Sequence, residues 1–159
     1  MSKLDVDQTV RELDGGKVPD WITEHLRIYL ESGGREGHDW DATFAGGRNP
    51  TPCLVLTTRG RRSGAPRPMP LIYGRSGDAY VVIGSKGGAA TQPAWYWNLR
   101  AYPSVELQVA TAKFSAHARI AEGAERERLW AMMVDLYPPY REYQAKTDRQ
   151  IPVVVLERA

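Results

Sequence analysis

The sequence is poor in the residues on which several large protein classes depend. There is one cysteine, Cys53. No disulfide can form within the chain, and a thiol at the head of an apolar run reads as a small buried hydrophobe. Three histidines, His25, His38 and His117, are scattered without metal-ligand spacing, so no metal is expected. No Gly-x-Ser-x-Gly elbow occurs, which leaves nucleophilic hydrolysis without an agent. No window approaches the ~18 apolar residues of a membrane span, and Met1–Arg11 lacks the apolar stretch of a secretion signal. A reducing cytoplasm is the expected location. Pro19–Glu31 sets Ile22, Leu26, Tyr29 and Leu30 on one helical face, which suits core packing and leaves peripheral membrane contact as a second use.

What is present is ordinary for a globular chain of 159 residues: 42% apolar, 25% charged, net charge +2. Residues 1–36 read as an N-terminal helical segment and 37–159 as the main body of one folded unit. Val6–Leu13 reads as a helical turn or an arm, and 32–52, with Trp40 and Phe44 as its large apolar anchors, as a long loop. Beyond it, short apolar runs alternate with turn signals. Strands are expected at Leu54–Thr58, Leu71–Tyr73, Ala79–Gly84, Ser104–Val109, Lys113–Ala121 and Ile151–Glu157. The prolines of Pro68-Met69-Pro70 confine their segment to an edge or bulge. Helices are expected from Pro93 through Leu99 and over Gly123–Leu136. No βαβ repeat appears, so a small, mostly antiparallel barrel with packed helices (α+β) is favoured.

Charge is distributed unevenly. Between Arg59 and Arg75 lie five arginines (59, 61, 62, 67, 75) and no Asp or Glu. Guanidinium forks and the backbone N–H groups of a glycine-containing turn match phosphate or carboxylate oxygens. Ser85-Lys86-Gly87-Gly88, at a strand end ahead of a helix, is a second place for an anion. The basic residues gather at one turn without a broad basic face, and nucleic acid is not expected as a partner. Trp95, Tyr96 and Trp97 cannot all face one core from one helix. Tyr137, Tyr140 and Tyr143 would share a face if their segment is helical, offering aromatic walls and hydroxyls.

Five blocks carry a family resemblance: Leu-Thr-Thr-Arg-Gly-Arg-Arg-Ser-Gly-Ala-Pro-Arg at 56–67, Gly-Ser-Lys-Gly-Gly at 84–88, Pro-Ala-Trp-Tyr-Trp-Asn-Leu at 93–99, Tyr-Pro-Pro-Tyr-Arg-Glu-Tyr at 137–143 and Thr-Asp-Arg-Gln-Ile-Pro at 147–152. From about Gly37 onward the chain resembles the deazaflavin-dependent nitroreductases, whose members use coenzyme F420 on a split β-barrel related to the flavin-binding barrels. The resemblance implies that Thr57, Arg61, Arg62, Ser63, Gly64, Arg67 and Pro70 meet the coenzyme, with the arginine turn on its phosphate and acidic tail. It implies that Ile83, Gly84, Ser85 and Lys86 lie along the ring and polyol, completed by Ala94, Trp95 and Asn98. The substrate side would be Ile72, Tyr137, Tyr140 and Tyr143, with Ser85 and Tyr140 as candidate proton donors. Ile72 stands where nitroimidazole-activating members often carry an aromatic. The implied activity is hydride transfer from reduced F420 to a small planar electron-poor acceptor such as a quinone, enone or nitroaromatic. The alternatives are FMN as cofactor, bound through one terminal phosphate, or a non-catalytic cofactor carrier. A monomer or homodimer is expected.

Overall fold

Antiparallel pairing around one long strand sets the architecture. The computed structural model of the protein describes Val6 and residues 18–159; apart from Val6, the turn or arm expected at Val6–Leu13 lies outside the described residues. In chain order come α1 (Asp20–Glu31), β1 (Asp39–Trp40), a 3-10 turn (Thr43–Ala45), β2 (Thr51–Arg59), β3 (Pro66–Ile72), β4 (Gly74–Ser76) and β5 (Ala79–Ile83). A second 3-10 turn (Lys86–Gly88) leads to α2 (Ala94–Ala101), β6 (Ser104–Val109), β7 (Ala112–Ile120), α3 (Gly123–Leu136), α4 (Pro139–Ala145) and β8 (Val153–Arg158). β2 pairs with β3 from Cys53 opposite Ile72 to Arg59 opposite Pro66, with β1 at its start and with β6 at Val55–Thr57. The sheet then continues β6-β7-β8-β5-β4.

Period-two alternation makes the sheet a wall between separate cores. Val154 and Leu156 of β8 and Tyr80 and Val82 of β5 face a core shared with Leu54, Leu56, Leu107, Ala118 and, from α2, Trp95 and Leu99. Because strands from β2 through β5 all send side chains into this one cluster, the sheet curls around it as a split barrel. The alternate residues Val153, Val155, Val81 and Ile83 face a second core with Leu129 and Met133 of α3 and Tyr140 of α4. Both faces of β8 are thus buried, and it reads as the continuous apolar run Val-Val-Val-Leu.

α1 packs Leu26 and Tyr29 against Val55 of β2, so its apolar face serves the core. Tyr29 fixes the join: its hydroxyl proton is shared between the carbonyls of Cys53 (2.9 Å) and Gln108 (3.3 Å), and its oxygen accepts from the Ala110 N–H (2.8 Å). Burial pushes this phenol up to about 12. No helix among the described residues is long and apolar enough to cross a membrane.

Two expectations need correction. β3 runs straight through its prolines and ends at Ile72, so Tyr73 lies outside it. Pro66, Pro68 and Pro70 alternate, which sends every missing N–H to the same side, and β3 pairs with β2 alone. The long loop at 32–52 contains β1, whose Asp39 and Trp40 pair with Pro52 and Thr51. A two-residue strand is too short to leave a periodic signal.

Candidate active site

The β2–β3 connection is a compact loop. Gly60 donates its N–H to the Ala65 carbonyl, and Gly64, at φ +74°, donates to the Gly60 carbonyl, each at 2.8 Å. Ser63 caps the inside, accepting from the Ala65 N–H at 3.1 Å and from the Arg67 guanidinium at 3.3 Å. The five arginines divide. Arg59 lies over the Tyr102 ring at 4.3 Å, and Arg75 lies over Tyr80 at 4.1 Å on a different hairpin. Arg61, Arg62 and Arg67 remain on or beside the loop, with Arg61 and Arg62 exposed.

Asn98 is the pin between this loop and α2. Its side-chain carbonyl accepts from the Arg61 backbone N–H (3.1 Å) and guanidinium (3.2 Å), and its amide donates to the Thr58 hydroxyl (3.0 Å). At 4% exposure Asn98 meets the loop as a structural anchor. Thr57 is half-buried in β2, and it is the neighbouring Thr58 that joins this network.

One helical turn before Asn98, Trp95 lines a cleft of about 270 Å3. Pro70 and Ile72 of β3, Ile83, Ser85, Lys86, Tyr137, Tyr140 and Tyr143 share that cleft. Thr57, the residues of the arginine loop, Gly84, Ala94 and Asn98 lie outside its lining. β3 connects the two regions, starting beside the arginines and ending in the cleft wall. Ala94 opens α2 just ahead of Trp95. Gly84 has a packing role: a Cβ there would stand 2.6 Å from Pro152 Cγ.

The Lys86 corner is an unusual piece of backbone. Lys86 (φ +46°), Gly87 (φ +63°) and Gly88 (φ +84°) are successively left-handed. Gly88 is required because a Cβ would stand 2.7 Å from the Tyr143 carbonyl oxygen, whereas one on Gly87 would meet nothing within 4 Å. The corner therefore offers open backbone to an incoming group.

The tyrosines form a cluster with ring centroids 4.9, 6.2 and 6.3 Å apart. Tyr137 and Tyr143 share a hydrogen bond at 3.0 Å. The Tyr140 hydroxyl has no partner among the described residues. Burial pushes both Tyr137 and Tyr140 well up, so their phenols stay protonated across ordinary pH.

Sequence reasoning missed one wall. Val18, Pro19, Trp21, Ile22 and His25, at and just before the start of α1, close the cleft together with Trp40 and Met69. Trp40 stacks on Trp21 (5.3 Å) and on His25 (4.9 Å), and His25 Nε2 bonds the Gly37 carbonyl at 2.8 Å. Burial holds this imidazole below its usual value, partly offset by that bond. The spacing of Trp21 and His25, i and i+4 beside the apolar stripe, was the available signal.

Comparison with known proteins bears on what this arrangement serves. The family model described as F420H(2)-dependent quinone reductase matches residues 21–158. An F420H(2)-dependent quinone reductase of Mycobacterium tuberculosis is 38% identical over 137 residues, covering 84% of this chain and 87% of that protein. A solved structure of an F420-H2-dependent reductase is 42% identical and superposes with a TM-score of 0.62, covering 66% of this chain and 93% of its own. A second, described as a domain-swapped dimer, is 39% identical with a TM-score of 0.66, covering 87% and 98%. With a match across nearly all of the described barrel, the chain belongs to the F420H2-dependent quinone reductase family.

Proposed function

We propose that this protein is an oxidoreductase that uses reduced F420 to convert a quinone-class acceptor to its hydroquinone, with the coenzyme's anionic tail held by Arg61, Arg62, Ser63, Gly64 and Arg67. The observation that carries the reading is the single cleft in which Trp95, the Lys86 corner and the tyrosine cluster converge. Its walls fit a planar ring: Pro70, Ile72, Ile83 and Trp95 are flat or branched apolar surfaces, and Lys86 supplies a cation beside them. The open backbone at Gly87 admits close approach of a polyol or phosphate.

When bound, the coenzyme supplies the hydride, and one proton completes reduction of the acceptor. The chain's own residues orient, exclude water and handle that proton. The Tyr140 hydroxyl, unpartnered among the described residues and in the cleft lining, would donate a hydrogen bond to an acceptor oxygen. Its raised pKa suits a donor that keeps its proton, and the same holds for the Ser85 hydroxyl, so solvent delivers the proton itself. The domain-swapped dimer among the similar structures supports a homodimer.

The test is anaerobic oxidation of reduced F420 by a panel of quinones, enones and nitroaromatics, followed at the deazaflavin absorbance, with FMN titrated in parallel. A charged donor on an oxyanion contributes about 1.5–3 kcal/mol, so Arg67→Ala is expected to weaken F420 binding about tenfold to a hundredfold. Unchanged affinity would remove the arginine loop from the site, and tight FMN binding with no F420 binding would replace the coenzyme.

A further inference from the structure

Arg149 lies outside the lining of the cleft yet bonds the chain on both sides of its Lys86 corner. Its guanidinium donates four hydrogen bonds: Nε to the Ala89 carbonyl at 2.8 Å, Nη1 to the Gly84 carbonyl at 3.1 Å and to Gln92 Oε1 at 2.6 Å, and Nη2 to the Ser85 carbonyl at 2.7 Å. These acceptors bracket the left-handed residues 86–88 on both sides. The backbone of Arg149 is fixed in turn: Gln144 of α4 donates to the Arg149 carbonyl at 2.8 Å and accepts from the Ile151 N–H at 2.9 Å. The same side chain that clamps the corner is thereby tied to the helix carrying Tyr140 and Tyr143.

A left-handed lysine persists only where its surroundings over-determine it. The corner's own bonds, Gly88 N–H to the Ser85 carbonyl at 2.9 Å and Ala89 N–H to the Lys86 carbonyl at 3.1 Å, are those of a single tight turn. The fork of Arg149 adds the constraint from outside. All four acceptors are neutral, and among the described residues no carboxylate pairs with this guanidinium. Its charge is left directed at the corner and whatever anion sits there.

We propose that Arg149 is a positioning residue: its four-point clamp on residues 84–92 holds Lys86 in the left-handed conformation that places the ammonium at the cleft. This deepens the proposed function and rests on it for the identity of the anionic ligand, while the conformational statement stands on the chain alone. Arginine is required because only a planar fork reaches three carbonyls and an amide in different directions. Lysine would keep the charge and lose the geometry.

The experiment compares wild type, Arg149→Met, Arg149→Lys and Gln92→Met, each alone and with Lys86→Ala, by amide hydrogen exchange without coenzyme and by F420 titration. Arg149→Met and Arg149→Lys are both expected to speed exchange of the Gly88 and Ala89 amides about tenfold or more while strand amides of β8 keep wild-type rates. Lys86→Ala is expected to weaken F420 binding about tenfold in the wild-type background and less than about twofold in either Arg149 variant, because a misplaced ammonium has little left to lose. kcat at saturating coenzyme should fall far less than affinity. Wild-type exchange at Gly88 and Ala89 in Arg149→Met, full rescue by Arg149→Lys, or an equal Lys86→Ala effect in both backgrounds would overturn the proposal. If Arg149→Met does not fold, Gln92→Met, which removes one of the four bonds, decides: exchange faster by about threefold supports the clamp, and unchanged exchange refutes it. A wild-type protein that binds no F420 defeats the functional reading alone, since the exchange comparison still shows whether Arg149 sets the corner.

Discussion

Removing the Asn98 carboxamide should separate the arginine loop from the cleft. Asn98→Ala severs two bonds from Arg61, at 3.1 and 3.2 Å, and one to Thr58 at 3.0 Å. A neutral hydrogen bond contributes about 1 kcal/mol and one to a charged group about 1.5–3. Arg61 is exposed, so its guanidinium bond counts at the lower end, whereas Asn98 and Thr58 are buried and their bond counts fully. The sum is about 3 kcal/mol. For a chain of this size each kcal/mol moves Tm by about 2–4 °C, so a fall of about 6–12 °C is expected by calorimetry. The Arg61 amide should lose exchange protection, and F420 affinity should drop about tenfold as the loop's donors lose their fixed direction. Asn98→Asp is the control. A carboxylate still accepts from Arg61, and the Thr58 hydroxyl can rotate to donate, so stability should stay within about 1 kcal/mol of wild type. An Asn98→Ala protein that melts at the wild-type temperature with unchanged Arg61 exchange would refute the tether.

Tyr29→Phe deletes a hydroxyl with three backbone partners and should cost about 1–3 kcal/mol in denaturant unfolding. Burial raises the folded phenol to about 12 from 10.0, so wild-type stability should hold below pH 10 and decline as pH climbs through 12, a decline that Tyr29→Phe lessens. His25 behaves in the opposite sense: burial depresses its pKa below 6.5, so its contribution is present above 6.5 and lost as pH falls, and His25→Gln should flatten that acid limb in thermal melts across pH. Gly88→Ala meets both a left-handed φ of +84° and the Tyr143 carbonyl at 2.7 Å, while Gly87→Ala meets strain alone. The first should cost about 2–4 kcal/mol and the second about 1, compared by urea unfolding.

The fold was legible wherever a local rule sufficed. The unbroken apolar run Tyr80-Val81-Val82-Ile83 and the turn residues on either side set β5, and the apolar spacing of Leu129 and Met133 set α3 with its observed bounds. The barrel could be inferred from the lack of βαβ units, because antiparallel neighbours need only short connections. The prolines of β3 announced its edge position, and it does pair with β2 alone. They hid its length, because alternating prolines with every missing N–H on the unpaired side leave the ladder to β2 intact from Pro66 to Ile72.

The candidate site divides on the same line. Lys86, Trp95 and the tyrosines come together in one cleft because each sits where an element ends, and strand ends and helix starts can be read from Gly and Pro. The wall joins Trp40 to Trp21 and His25, far from it along the chain, through two stacked ring pairs; the spacing of Trp21 and His25 marks their shared edge, but nothing local marks Trp40 as its partner. α1 has two apolar edges, Leu26 and Tyr29 toward β2 and Trp21 and His25 toward Trp40; a single-stripe reading of an amphipathic helix recovers the first and leaves the second as surface. The second edge touches the cleft, so α1 is part of the cleft's enclosure. Changes at Trp21 should therefore act on acceptor selection before they act on the fold, whose join to α1 runs through Tyr29.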